Sequence, residues 1–206
     1  YVADRLRSDN PVVAASSDTE GTTPEAESGS TSTSTIPEPP ARVDIEVGGQ
    51  PLPPLSGGDD PAIGMPAPTL QGFDLAGRPV AILDDGRPKA VYFLAHWCPH
   101  CQVELPKIVE LVESGALPSG LDIYLVSTAV DGTLGNYPPA AWFEAEGWTE
   151  PVLDDSASAA ALHAFGGTGF PFAVYVEVDN TVLLRVSGET PPERILEFWT
   201  MTALTG

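Results

Sequence analysis

Cationic residues and cysteine are what this chain has least of. Nine Lys and Arg stand against 29 Asp and Glu, for a formal net charge of −20 at pH 7. A surface of that sign repels phosphate backbones and anionic lipid heads, which argues against nucleic acid as a partner, and its plain reading is solubility. No apolar run reaches the roughly 18 to 20 residues that span a bilayer. Cysteine occurs twice in 206 residues, and both copies fall in one short stretch, HWCPHCQVELP, from His96 to Pro106.

Apolar runs are almost absent from residues 1–60, where Ser and Thr fill 12 of the 20 positions from Ser16 to Thr35. Such a segment cannot bury enough apolar surface to offset its ordering entropy, and the composition predicts a disordered Ser/Thr/Pro/Gly-rich linker or stalk over residues 1–60. Its end, residues 36–61, is dominated by Pro and Gly, which favour an extended, semi-stiff spacer. A stalk of this kind in front of a compact domain suits a tether on the outer side of a membrane, with a signal or anchor expected ahead of Tyr1. Arg5 and Arg7 pull the other way, because basic residues beside a membrane helix favour the cytoplasmic side. The expectation is an extracytoplasmic, tethered, monomeric protein.

Over residues 61–206 the periodicity changes. VAILDD and KAVYFLAHW read as strands, the second a near-continuous apolar run suited to a strand covered on both faces. Pro99 follows where a helix can begin, and Val103, Leu105, Ile108, Val109, Leu111 and Val112 recur at helical spacing. LDIYLVSTAV reads as another buried strand, and PPAAWFEAEGW as a short helix ended by Gly147. Residues 156–167 read as a helix capped by Ser and followed by glycines. FAVYVEV and TVLLRV flank Asp179–Asn180 as a hairpin, and PPERILEFWTMTAL closes the chain as a helix. Alternating strands and helices with a terminal hairpin imply one α/β layered domain.

A domain of this size buries enough to stand without a disulfide staple. A bridge closed over two residues would also restrict the unfolded chain little. Zinc normally takes four ligands, and only His96, His100 and His163 are left to complete a set. Covalent haem attachment needs His directly after the second Cys, where Gln102 stands. What remains is a redox pair. At a helix start both sulfurs lie near unpaired N–H groups and the positive end of the dipole, which favour thiolate and make Cys98 a nucleophile at neutral pH.

With these residues in place, the chain resembles the thioredoxin superfamily, and within it the extracytoplasmic TlpA/ResA/DsbE-like branch. The likeness begins with GMPAPTLQGFDLAGRPVAI, similar to the branch's N-terminal hairpin, and continues through WCPHCQVELP, which fits C-x-x-C-x-x-E-x-P. A later run of Asp, helix, Gly-Phe-Pro, hairpin and glycine is similar as well. The resemblance implies a thioredoxin-like fold: a central mixed sheet flanked by helices, with an N-terminal hairpin extension. It implies a thiol-disulfide oxidoreductase that needs no cofactor or metal and whose partners are protein thiols or disulfides and a redox partner protein.

The resemblance also assigns roles. Cys98 is similar to the exposed attacking thiol and Cys101 to the buried resolving thiol. Glu104 matches a carboxylate that influences the pair, although a solvated helix Glu paired with Lys107 would fit the same pattern. Pro171 matches the cis-proline that faces the cysteines. Trp97, Pro99, His100 and Phe170 would line the substrate groove with it, although Phe170 reads nearly as well as a core aromatic. Pro106 matches a kink proline with a structural role. Tyr92 stands where cytoplasmic thioredoxins carry a buried acid, which leaves proton handling to Glu104 or water. The Pro-His dipeptide inside the pair resembles DsbA-type oxidants while the rest resembles reductants, so the direction of electron flow stays open. Two other readings stand beside this one. A peroxiredoxin-like peroxidase would want Thr or Ser at Ala95 and Pro further upstream, where Val91 stands; a redox-inactive thioredoxin-fold binding module would use the groove beside Pro171.

Overall fold

The computed structural model describes residues 45–206. The linker reading of residues 1–44 lies outside the described residues. Twelve elements follow in chain order: β1 (Glu46–Gly48), β2 (Thr69–Phe73), β3 (Pro79–Ile82), β4 (Lys89–Leu94), α1 (Pro99–Glu113), β5 (Asp122–Ser127), α2 (Pro139–Ala145), β6 (Val152–Asp154), α3 (Ala160–Ala164), β7 (Phe172–Val176), β8 (Val182–Ser187) and α4 (Pro192–Ala203).

Five strands form the central sheet in the order β6-β5-β4-β7-β8. β4 pairs parallel with β5 and antiparallel with β7, β6 is parallel to β5, and β8 is antiparallel to β7, so the sheet is mixed. β4 holds the centre because its six residues, KAVYFL, are buried on both faces. Their alternation splits the interior in two: Val91 and Phe93 join a core with Leu70, Ile82, Leu162 and Phe172, whereas Ala90, Tyr92 and Leu94 join Leu105, Ile108, Trp142, Ile195 and Trp199. Helices α1, α2 and α4 cover the second face; α3 and the N-terminal sheet cover the first. Asn180 turns the β7–β8 hairpin at φ +65°.

The N-terminal hairpin is present as β2 and β3, but it carries a third strand, β1, in the order β1-β2-β3. Residues 45–60 were expected within a linker; instead they are laid onto the domain. Leu52 N–H donates to Ala164 O and Leu55 N–H to Gly166 O, both at 2.8 Å, and Leu52 is buried. The Asp60 carboxylate meets Arg185 at 2.5 and 2.9 Å, and Arg185 also donates to Pro53 O and Phe165 O at 2.9 Å. Composition missed this because the attachment uses backbone groups and one distant arginine rather than an apolar run. Gly166, at φ +75°, is required by it, since a Cβ there would collide with Pro53 O and the Arg185 guanidinium.

The third helix also differs from expectation. It begins at Ala160, not Ser156, because two side chains share its start: Ser156 Oγ accepts from Ala160 N–H, and the Asp155 carboxylate accepts from Ala161 and Leu162 N–H. No helix among the described residues is long and apolar enough to cross a membrane.

Candidate active site

β4 brings the chain to the carboxyl end of its strand at Leu94, and a turn closed by Cys98 N–H donating to Ala95 O leads into α1. Cys98 is the N-cap residue in extended conformation, and Pro99 at the first helical position loses no hydrogen bond there. Cys101 lies one turn inside. Both cysteines are free thiols.

Their surroundings differ. Cys98 is 6% exposed, its Sγ lying 3.7 Å from Phe170 O. An exposed thiol was expected; the segment around Phe170 and Pro171 covers most of it. Cys101 has no exposed surface, and its Sγ accepts from Ala95 N–H at 3.4 Å. Burial pushes the Cys101 thiol far up; the Ala95 N–H opposes this, and the neighbouring Cys98 and Glu104 add to it. The expected help from the helix start is thus overruled by desolvation at Cys101, which is a neutral thiol at pH 7.

Pro171 follows a cis peptide bond from Phe170, as the motif led us to expect. Its carbonyl accepts from Gly188 N–H at 2.8 Å. Phe170 is half-buried and meets Trp97 edge-on, with ring centroids 5.6 Å apart at 87°. It packs against both cores, as the core reading of Phe170 requires. Trp97 Nε1–H donates to Ala129 O at 2.8 Å. His100 is exposed, and its Nδ1 lies 2.5 Å from Glu189 Oε1.

Glu104 is not the solvated helix residue of the bland reading. It is 2% exposed, and its Oε2 accepts from Thr190 N–H at 2.9 Å and from Lys107 Nζ at 3.5 Å. Burial pushes its carboxyl above the ordinary carboxylate value, against the pull of Thr190 N–H and the Lys107 charge. Lys107 Nζ also donates to Thr190 O at 3.2 Å and lies 3.7 Å from Glu189 Oε2. On the sheet beneath, Tyr92 and Tyr175 share a hydrogen bond of 2.9 Å, and Trp199 Nε1–H donates to Tyr92 Oη at 2.7 Å. Burial pushes both phenols up, so neither supplies a base near neutral pH.

Three contributors were missed by sequence reasoning: Glu189, Thr190 and the loop held by His96. In sequence that histidine reads as a candidate metal ligand, yet both its nitrogens are taken. Nδ1 donates to Gly135 O at 2.7 Å, and Nε2 accepts from Asp131 N–H at 3.3 Å. Asn136 Nδ2 donates back to His96 O. Among the described residues no group of three or more His, Cys, Asp or Glu is placed to hold a metal ion.

No protein-family model matches the chain, and no curated protein does. Solved structures do. A thiol:disulfide interchange protein of the thioredoxin family from Chlorobium tepidum matches at TM-score 0.57 and 22% identity, over 71% of this chain and 99% of the other. StoA from Bacillus subtilis matches at 0.54 and 18%, over 68% and 99%. A secreted Mycobacterium tuberculosis disulfide oxidoreductase homologous to E. coli DsbE matches at 0.54 and 16%, over 64% and 94%.

Proposed function

We propose, from the thioredoxin-like fold that these likenesses give the chain, that it is a thiol-disulfide oxidoreductase acting on protein thiols or disulfides through Cys98 and Cys101. The observation that carries this reading is the unequal setting of two free thiols at one helix start: one with a small exposed remnant beneath Phe170 O, the other fully sealed one turn deeper near the buried Glu104 carboxylate.

In the reducing direction the Cys98 thiolate attacks one sulfur of a substrate disulfide. A Cys98–substrate bond forms, and the other substrate sulfur leaves as a thiolate that takes a proton from solvent. The Cys101 thiol then gives its proton to Glu104, and its sulfur attacks Cys98. The Cys98–Cys101 bond forms, the mixed disulfide breaks, and the second substrate thiol departs. The substrate gains two electrons, and the pair loses them. An oxidant runs the same steps backwards. The Glu189 carboxylate against His100 places negative charge beside the Cys98–Cys101 stretch, which disfavours a thiolate there and supports the reducing direction.

Trp97, Pro99, His100, Phe170 and Pro171 surround Cys98 in this scheme and receive the substrate strand. Action outside the cytoplasm, from a membrane tether and as a monomer, completes the reading; the secreted M. tuberculosis neighbour supports the compartment. The peroxidase alternative gains nothing from Ala95 and Val91, both fully buried and without a hydroxyl.

The test is a trap. Cys101→Ala removes the resolving sulfur, so the variant should accumulate a mixed disulfide at Cys98 with a protein partner and lose insulin reduction. Absence of any adduct with either an oxidised or a reduced partner pool would overturn the assignment. Equilibration of the wild-type pair with glutathione fixes direction: a potential near about −270 mV places it with reductants, and one near about −120 mV with strong oxidants.

A further inference from the structure

An ionised carboxylate sealed from water keeps its charge only where donors replace the lost hydration. Glu104 has two, and both reach the same oxygen: Thr190 N–H and Lys107 Nζ. The lysine is not a loose surface group. Its ammonium is held at the junction between α1 and the connection leading from β8 to α4, by Thr190 O at 3.2 Å and Glu189 Oε2 at 3.7 Å. That connection is itself joined to Pro171 through Gly188 N–H.

The groups around Glu104 come from three other elements besides its own helix. Cys101 and Lys107 share α1 with it; Tyr92 faces it from β4 and Tyr175 from β7; Thr190 and, through Lys107, Glu189 face it from the connection. Both phenols are neutral and committed to each other and to Trp199. The positive charge within this group belongs to Lys107.

Resting on the thiol-disulfide reading above, we propose that Lys107 is a positioning residue that holds Glu104 ionised as the acceptor of the Cys101 proton, and so sets the pH below which the pair no longer closes. In the closing step the Cys101 S–H proton passes to the Glu104 carboxylate, and the sulfur attacks Cys98 of the mixed disulfide. The Cys98–Cys101 bond forms, the departing sulfur leaves with the electron pair as a thiolate, and Glu104 then releases its proton to solvent. Burial alone favours the protonated form of Glu104, which cannot receive that proton; the ammonium 3.5 Å away opposes this.

The closing step can be timed with an aromatic disulfide, dithiobis-nitrobenzoate. The first equivalent of coloured thiolate reports attack by Cys98, and the second reports its displacement by Cys101. Across a pH series on the full chain, the second phase should slow at acid pH with a midpoint that follows Glu104. Lys107→Gln keeps a donor for Thr190 O but removes the charge. It should move that midpoint up by about one pH unit, making closure about fivefold slower at the wild-type midpoint. Lys107→Met should do the same, and Lys107→Arg should return the midpoint towards wild type. Glu104→Gln should abolish the acid limb, and adding Lys107→Gln to it should then change nothing further.

An unshifted midpoint in Lys107→Gln overturns the proposal, as does a shift seen only in Lys107→Met, which would assign the effect to the Thr190 contact. An acid limb that survives Glu104→Gln overturns it too. If the wild type releases the first equivalent but never the second, the thiol-disulfide reading itself fails and takes this inference with it.

Discussion

The two faces of the central sheet bury polar groups on opposite terms. Towards the N-terminal sheet and α3, two buried charges, Arg185 and Asp155, are matched. Arg185, whose side chain has no exposed surface, meets both Asp60 oxygens and the carbonyls of Pro53 and Phe165. Asp155 accepts from Thr128 Oγ1 and from the N–H groups of Ser156, Ala161 and Leu162. The Arg185 hydrogen bonds, against the opposing effect of burial, hold the Asp60 carboxyl below its ordinary value. Beneath α1 and α4 the balance is reversed: at Cys101, Glu104, Tyr92 and Tyr175 burial comes first and pushes every one of them up. Fully matched groups lock a structure. A group whose burial is not fully offset can still exchange a proton, and that face is the one the two cysteines occupy.

The sharpest way to break this contrast is at Arg185. Replacing it with Met leaves Asp60 without its cation and should lower the unfolding free energy by about 3 to 5 kcal/mol, read from urea denaturation. Asp60, depressed in the folded state, stabilises fully above its unfolded value of 3.8, and that contribution disappears as pH falls through the lower folded value. Wild type should therefore lose stability in that acid window and Arg185→Met should lose less; equal slopes would mean the ion pair is not what holds the strap.

On the other face, Tyr92→Phe removes the hydroxyl shared by Tyr175 and Trp199 and should cost about 1 to 3 kcal/mol in the same measurement. Glu104→Gln should go the other way. A carboxyl raised in the folded state costs nothing below its unfolded value of 4.5 and destabilises as pH climbs through the folded value, so the neutral variant should gain about 1 kcal/mol at neutral pH and nothing in acid. A loss of stability at neutral pH would place Glu104 among the matched, structural groups instead. The smallest effect belongs to His100→Ala. Its pair with Glu189 is exposed, so unfolding should change by less than about 0.5 kcal/mol, while the equilibrium with glutathione moves in the reducing direction. A potential unchanged within error would remove His100 from the redox argument.

Much of this arrangement could be read from the sequence because its signals are local. The apolar run of β4, the Pro-led start of α1, the helical spacing from Val103 to Val112 and the Asp179–Asn180 turn each depend on neighbours a few positions away. What escaped depends on distance along the chain or on shortness. β1 and β6 have three residues each, too few for a pattern, and are strands because β2 and β5 offer them edges. Lys107 reaches Thr190 across 83 positions and Glu104 across 86, which no periodicity reports. At Cys98 the helix start was legible but the cover over its sulfur was not, because the covering carbonyl belongs to Phe170, 72 residues on. His96 was misjudged since a buried imidazole tying down a loop looks, in one dimension, like any candidate ligand.

The segment from Ile45 to Asp60 fixes where this domain can be cut. A truncated version starting at residue 61 would keep every residue of the cysteine site yet strip Arg185 of both Asp60 oxygens and of Pro53 O, leaving a bare guanidinium inside the protein with a single carbonyl for company. Any recombinant boundary chosen to isolate the redox chemistry should therefore fall before Ile45, even though none of the intervening sixteen residues has a part in the proposed reaction.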